Sequence, residues 1–256
     1  MLYTPLEQFQ IILLFSIKLF CFDFSITNLV LVNLLVLLFF GAIVVFFSSN
    51  TNHIKETSFF FIPSTWQTLV ETLYEASLQL LFDNINKDGE KYFPFISVIF
   101  TFVLFSNLIG LIPYSFTTTS HFVITFTLSF CVFIAMTLIG FQTHGLHFFS
   151  FLLPPGAPLI LAPGLVVIEL VSYCFRGISL GVRLFANMMA GHTLVKILSG
   201  FAWSMLSLSG VLKAAAAIPF LVVFALMFLE VGVACLQAYV FTILTCIYLN
   251  DAIHLH

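Results

Sequence analysis

The sequence predicts an all-α integral membrane protein with about five to six hydrophobic helices, the last two long and strongly tilted, plus an amphipathic helix near residues 64–82. Three observations predict it. Hydrophobic residues make up 61% of the chain and charged residues only 7%, with a mean hydropathy of +1.15. Apolar runs recur at bilayer-spanning length, separated by polar or proline-bearing stretches. The final third sustains apolar runs too long for an upright span, and carries charged residues inside them.

Composition also excludes several classes. A net charge of −3 with no polybasic tail offers no footprint for nucleic acid. The cysteines (Cys21, Cys131, Cys174, Cys235, Cys246) lie scattered in apolar context without CxxC spacing, so they read as buried free thiols, not metal ligands or disulfides. The 34 phenylalanines suit lipid-facing helices first and, as a weaker inference, an A- and T-rich coding strand of the kind organelle genomes carry.

The elements follow in order within a single membrane domain over 1–256. In the N-terminal segment, 1–25, the stretch Phe9 to Phe22 is apolar but interrupted by Lys18 and preceded by Glu7. It is too short to span and has no small-residue cleavage site, so it reads as an interfacial or packed segment, not a signal peptide. The peripheral region, 26–141, starts with a span from Ile26 to Phe47, followed by a polar loop to Pro63. Ser64 to Gln67 has capping-box spacing and opens the amphipathic helix, with Leu69, Leu73 and Leu80 at helical intervals and Glu71 and Glu75 on its flank. Such a helix lies on the membrane or packs against a partner. Asp83 to Lys91 is charge-dense and predicted exposed.

Two further spans, Phe93 to Pro113 and His121 to Phe141, are joined by a Thr/Ser turn at Thr117 to Ser120. The Pro/Gly loop, 142–164, contains His144 and His147, which could hold a metal at i, i+3 or act as polar anchors near the headgroups. The last region, 165–249, holds the long helix pair. Leu165 to Ser199 would run roughly 50 Å as one helix, against a hydrocarbon core of about 30 Å. Val211 to Leu249 would run roughly 60 Å, with a kink or break expected at Pro219. Gly200 and Ser207 to Gly210 offer a hinge between the two runs but not within either, so strong tilt is the expectation.

Polar residues in these runs are arranged in stripes. Glu169, Arg176 and Arg183 recur at seven-residue steps on one helix face, and Asn187 follows one turn on. His192 lies about 13–14 Å beyond Arg183 along the axis and on the opposite face. Lys196, a turn later, can snorkel to the interface. On the second run Glu230, Gln237 and Tyr248 project one way, with Thr245 nearby. Small residues on both runs (Gly181, Ala186, Ala190, Gly191; Gly232, Ala234, Ala238) permit close backbone approach.

Each polar residue also has a structural reading: Arg176 as partner of Glu169, Asn187 and Gln237 as interhelical glue, Tyr248 in an aromatic belt. Arg183 resists such a reading. An arginine at bilayer depth costs roughly 2.5–3.5 kcal/mol on insertion scales and cannot shed its proton. Glu230 is a titratable group in the same setting. Carboxylate or imidazole on each side of a permanent cation describes two partial proton routes that must not join. No HExxH, GxSxG or Walker pattern and no paired haem histidines are present in the sequence, so the chain reads as a non-enzyme without cofactor, metal or nucleotide site.

The run from Ser179 to His192, Ser-Leu-Gly-Val-Arg-Leu-Phe-Ala-Asn-Met-Met-Ala-Gly-His, resembles the signature around the essential arginine of subunit a of rotary F-type ATP synthases, especially the mitochondrial form. The likeness extends to Thr4–Phe9, Ser106–Pro113 and Glu230–Tyr248, covering nearly the whole chain. Many bacterial members carry Glu where this chain has His192, and His where it has Glu230. The swapped pair here resembles mitochondrial members.

The resemblance implies a multi-pass stator subunit of the mitochondrial inner membrane, contacting a ring of c subunits, the peripheral stalk and other membrane subunits. It implies two offset half-channels, with Arg183 facing the ring, Glu230, His192 and Gln237 on the inlet side and Glu169 on the outlet side. Asn187 and Tyr248 join the proton-translocation set. A self-contained cation or proton transporter would be expected to show internal repeats, and a respiratory-complex pump would spread its charges over several spans.

Overall fold

The computed structural model describes residues 4–16, 18–19, 22–23, 25–52, 65–112, 115–145, 162–207 and 215–253. Within them the chain is six α-helices: α1 (Asn28–Asn52), α2 (Thr65–Ile85), α3 (Phe93–Gly110), α4 (Phe122–His144), α5 (Ala162–Leu206) and α6 (Ala217–Ile253). Short 3-10 turns cover Pro5–Phe9, Asn86–Tyr92 and Thr118–Ser120. Among the described residues, stretches in α3, α4, α5 and α6 are long and apolar enough to cross a membrane.

Several boundaries differ from the sequence reading, each for a physical reason. Between Phe9 and Phe22, read from sequence as an interfacial or packed segment, the described residues include short strands: Leu13–Phe15 pairs antiparallel with Ile26–Thr27, and Lys18–Leu19 with Phe22–Asp23. Asn28 fixes this arrangement. Its Oδ1 accepts from the Ile12 N–H and its Nδ2 donates to the Gln10 carbonyl, both at 3.2 Å.

Helix α4 runs past the predicted loop start to His144 and stops at Gly145, whose φ of +56° suits glycine alone at a helix end. The last turn of α4 is held by tertiary contacts: His144 Nε2 lies 2.8 Å from the Ile253 carbonyl, and Thr143 Oγ1 donates to that of Ala252. His147 and the rest of that predicted loop to residue 161 lie outside the described residues.

Gly200 is no hinge. It lies inside α5, a 45-residue helix of about 67 Å. Pro219 does not kink α6, because it sits in the first turn, where a missing N–H costs nothing.

Helix α2 is amphipathic, and its apolar face is spent inside the chain. Ser77, Leu80, Leu81 and Ile85 are buried against α3 and α6, with Asp83, Glu90 and Lys91 exposed beyond. Helix α6 is the hub, packing on α2, α3, α4 and α5. Its inward stripe (Ala234, Ala238, Phe241, Leu249) meets Ile96, Phe100 and Val103 of α3 and Leu180 and Leu184 of α5. Helices α4 and α5 cross tightly where Gly181 faces Ser129 Oγ and the Thr125 carbonyl. A Cβ there would stand 3.0 Å from that carbonyl, so only glycine admits this approach.

Candidate functional site

The inward stripe of α6 that builds the core also carries Glu230 and Gln237, which are 8% and 1% exposed. Seven residues apart, they share a face for the same reason the apolar residues around them do. Helix α5 answers with its own inward stripe of Leu180, Leu184 and Met188. Three polar contacts between the helices stand out among the described residues.

At the first, Asn187 Nδ2 donates to Gln237 Oε1 at 2.8 Å. The Gln237 amide nitrogen is enclosed without a partner among the described residues. One turn before Gln237, the Ala234 carbonyl accepts from Asn107 Nδ2 of α3 at 3.2 Å, tying a third helix to this level.

At the second, His192 Nδ1 stands 3.3 Å from Glu230 Oε1, but out of line for a hydrogen bond. Both side chains are largely enclosed, 17% and 10% exposed. The approach is possible because residue 191 is glycine: a Cβ there would lie 2.8 Å from Oε1. His192 Nε2 is buried, with no hydrogen-bond partner among the described residues. Proton exchange between imidazole and carboxylate needs only a small reorientation, since geometry of this kind tightens when a proton arrives.

The third lies at the other end of the pair. Arg176 donates to Asp251 Oδ2 at 3.2 Å, approaches Glu169 Oε1 at 3.6 Å, and stands 5.8 Å from the Tyr248 ring centroid. These groups are about one-quarter to one-third exposed, with Arg176 at 29%, Asp251 at 27% and Glu169 at 33%. A small cavity beside them is lined by Arg176, Tyr173, Tyr248 and Ser129. Two carboxylates gather around one guanidinium there.

Arg183 lies between the second and third groups, about 10 Å along α5 from Arg176 and about 14 Å from His192. It is exposed, and among the described residues it forms no ion pair. Its neighbours one turn away on α5 are the exposed Ser179 and Asn187, and its charge lies within electrostatic reach of Tyr248 on α6. A permanent charge thus stands exposed on the same stripe as Arg176 and Asn187, without an ion-pair partner among the described residues.

The predicted residues therefore divide into sets. His192 meets Glu230, Asn187 meets Gln237, and Glu169 joins Tyr248 around Arg176, while Arg183 forms no ion pair with any of them and reaches only Tyr248 by its charge, among the described residues. Asp251 and Asn107 were missed. Asp251 had a signal, since it continues the seven-residue stripe of Glu230 and Gln237 past the end of the apolar run. Asn107 had only its amide in an apolar span, which named no partner.

Comparison with known proteins agrees along the whole length. The family model of the ATP synthase A chain matches residues 29–250. The chain is 57% identical to the ATP synthase subunit a of Marchantia polymorpha, over 99% of each chain. It is 55% identical to that of Brassica napus and 47% to that of the red alga Chondrus crispus, in each case over 99% of this chain and 97% of the relative. With arginine, glutamate, histidine and amides set on two long crossing helices, and with these relatives matched end to end, the chain belongs to the ATP synthase A chain family.

Proposed function

We propose that this chain is the proton-conducting stator subunit of a rotary F-type ATP synthase, a multi-pass protein of the mitochondrial inner membrane that faces a ring of c subunits. One observation carries the reading: Arg183 is exposed and without an ion pair among the described residues, while the polar groups on either side of it along the helix pair meet one another. An arginine in that position needs an anionic counterpart from outside the chain. A ring carboxylate arriving in its deprotonated form supplies one.

Glu230 and His192, with Asn187 and Gln237, form the inlet half-channel in this reading. Glu169 and Tyr248, joined by Asp251 around Arg176, form the outlet. A proton reaching the His192–Glu230 pair passes to the ring carboxylate, which then has no charge to hold it at Arg183 and moves on. After nearly a full turn the carboxyl meets the outlet side, and the field of Arg183 favours its release as an anion. Arginine suits the barrier because it stays charged when desolvated, where lysine would titrate. The membrane potential contributes about 2.3 kcal/mol per proton per 100 mV, all of it wasted by any leak past Arg183. The chain itself performs no covalent step, and ATP chemistry belongs to other subunits of the complex.

Purification from membranes tests the assembly: a c ring and soluble ATPase subunits accompany a stator subunit, whereas a self-contained transporter comes alone. Glu230→Gln tests the path. It keeps size and polarity but cannot carry the proton, so proton-driven synthesis falls sharply in an assembled complex. Unchanged proton-transfer rates would remove Glu230 from the route.

A further inference from the structure

We infer that Phe9, in the N-terminal 3-10 turn, is a positioning residue for His192: its ring covers the imidazole and holds it toward Glu230. The inference rests on the proton-path reading above for its consequence, but not for its geometry. The two rings meet edge to face, with centroids 6.5 Å apart and planes at 68°. That geometry lies within the range in which aromatic rings attract. The turn Pro5–Phe9 packs against α5, and Phe9 is its half-buried residue while Leu6, Glu7 and Gln8 are exposed.

Phe9 is held from both sides. Before it, the turn is closed by Glu7 N–H donating to the Thr4 carbonyl and Gln10 N–H to that of Glu7. After it, Asn28 at the head of α1 grips the backbone: its side chain bonds the Gln10 carbonyl and the Ile12 N–H, and its own N–H donates to the Ile12 carbonyl. A segment otherwise exposed from Ile11 to Phe15 is thereby tethered where it delivers one ring to one histidine.

The need for such a cover is visible at His192 itself. Its Nδ1 faces Glu230 across 3.3 Å, but no hydrogen bond fixes the ring, and Nε2 is enclosed without a partner among the described residues. With no hydrogen bond to either nitrogen among the described residues, the imidazole takes its orientation from packing. Gly191 beside it supplies no side chain for that purpose, and Glu230 is the titratable group facing it from α6. Phe9 supplies the missing wall. Keeping Nδ1 toward the carboxylate is what lets one nitrogen accept a proton while the other passes one on.

The test uses the intact complex in membrane vesicles. Histidine modification by diethyl pyrocarbonate is read by peptide mass spectrometry, alongside proton-driven ATP synthesis, for wild type, Phe9→Ala, Phe9→Leu and Phe9→Tyr. Phe9→Ala is expected to raise His192 modification about two- to tenfold, the span that loss of one ring contact allows, and to slow synthesis, while His121 and His144 stay as in wild type. Phe9→Leu, which keeps an apolar side chain if the alanine variant does not assemble, shows the same changes with smaller amplitude. Phe9→Tyr keeps the ring and restores both readouts.

Wild-type His192 modification in assembled Phe9→Ala or Phe9→Leu complexes overturns the inference. So does raised modification with undiminished synthesis, because the ring would then shield without positioning. If Glu230→Gln leaves synthesis intact, the proton-path reading fails instead, and the modification readout still decides whether Phe9 covers His192.

Discussion

Gly191→Ala isolates the geometry of the His192–Glu230 pair. The new methyl group would stand 2.8 Å from Glu230 Oε1, 3.2 Å from its Cδ and 3.4 Å from its Cγ. Ordinary contact for a Cβ begins at 3.4 Å, so Oε1 must retreat by the difference, 3.4 − 2.8 = 0.6 Å. The carboxylate is the far end of a flexible side chain, so the helices need not separate. Alanine also gains about 1 kcal/mol over glycine in helix propensity, which offsets the contact. Assembly and thermal stability are therefore expected to stay near wild type.

Function is expected to change, because the displacement falls on a pair already at 3.3 Å. A misplacement of 1 Å can cost on the order of a hundredfold, so roughly tenfold is expected for this smaller shift. The assay is proton-driven ATP synthesis in vesicles at matched complex content, with the melting temperature of the complex as control. Wild-type synthesis would refute the claim that Glu230 works from this position. A large loss of stability would refute the claim that the carboxylate can give way.

Gly181→Ala gives the opposite pattern. Its Cβ meets the Thr125 carbonyl at 3.0 Å and Phe126 Cα at 3.2 Å, and since backbone cannot swing aside, α4 and α5 must part. Overpacking of this kind costs about 1–3 kcal/mol, to be read as a lower melting temperature or reduced subunit content. For the Arg176 cluster, Arg176→Ala leaves Asp251 and Glu169 facing each other without their cation, and is expected to impair assembly more than Asp251→Asn does. A double-mutant cycle measures the pair directly; coupling indistinguishable from zero would mean that the 3.2 Å contact is incidental.

Helix existence was legible because the bilayer imposes length and apolarity on a span. Helix ends were less so, because tertiary contacts set several of them. Nothing local to Gln142–His144 announces helix, since the bonds that hold it go to the carbonyls of Ala252 and Ile253 at the far end of the sequence. Pro219 looked like a kink until the start of α6 placed it in a first turn.

Residues 9–22 were too short to span, yet their pairing with Ile26–Thr27 depends on Asn28, whose role as an anchor no periodicity discloses. In the site, seven-residue spacing put Glu169 and Arg176 on one stripe but left their pairing open, and the structure brings them to 3.6 Å. That His192 meets Glu230 is different. The contact depends on the crossing of α5 and α6 and on Gly191, and spacing within either helix carries no record of it. Asp251 fell outside the reading because the apolar run was taken to end at Leu249.

The most direct test is Arg183→Ala in membrane vesicles, with proton-driven ATP synthesis and passive proton leak measured on the same preparation. The account predicts an assembled complex in which synthesis is abolished and leak rises, because the charge that separates the two routes and draws each ring carboxylate is gone. Normal synthesis with no added leak would contradict it, and would make Arg183 a structural residue.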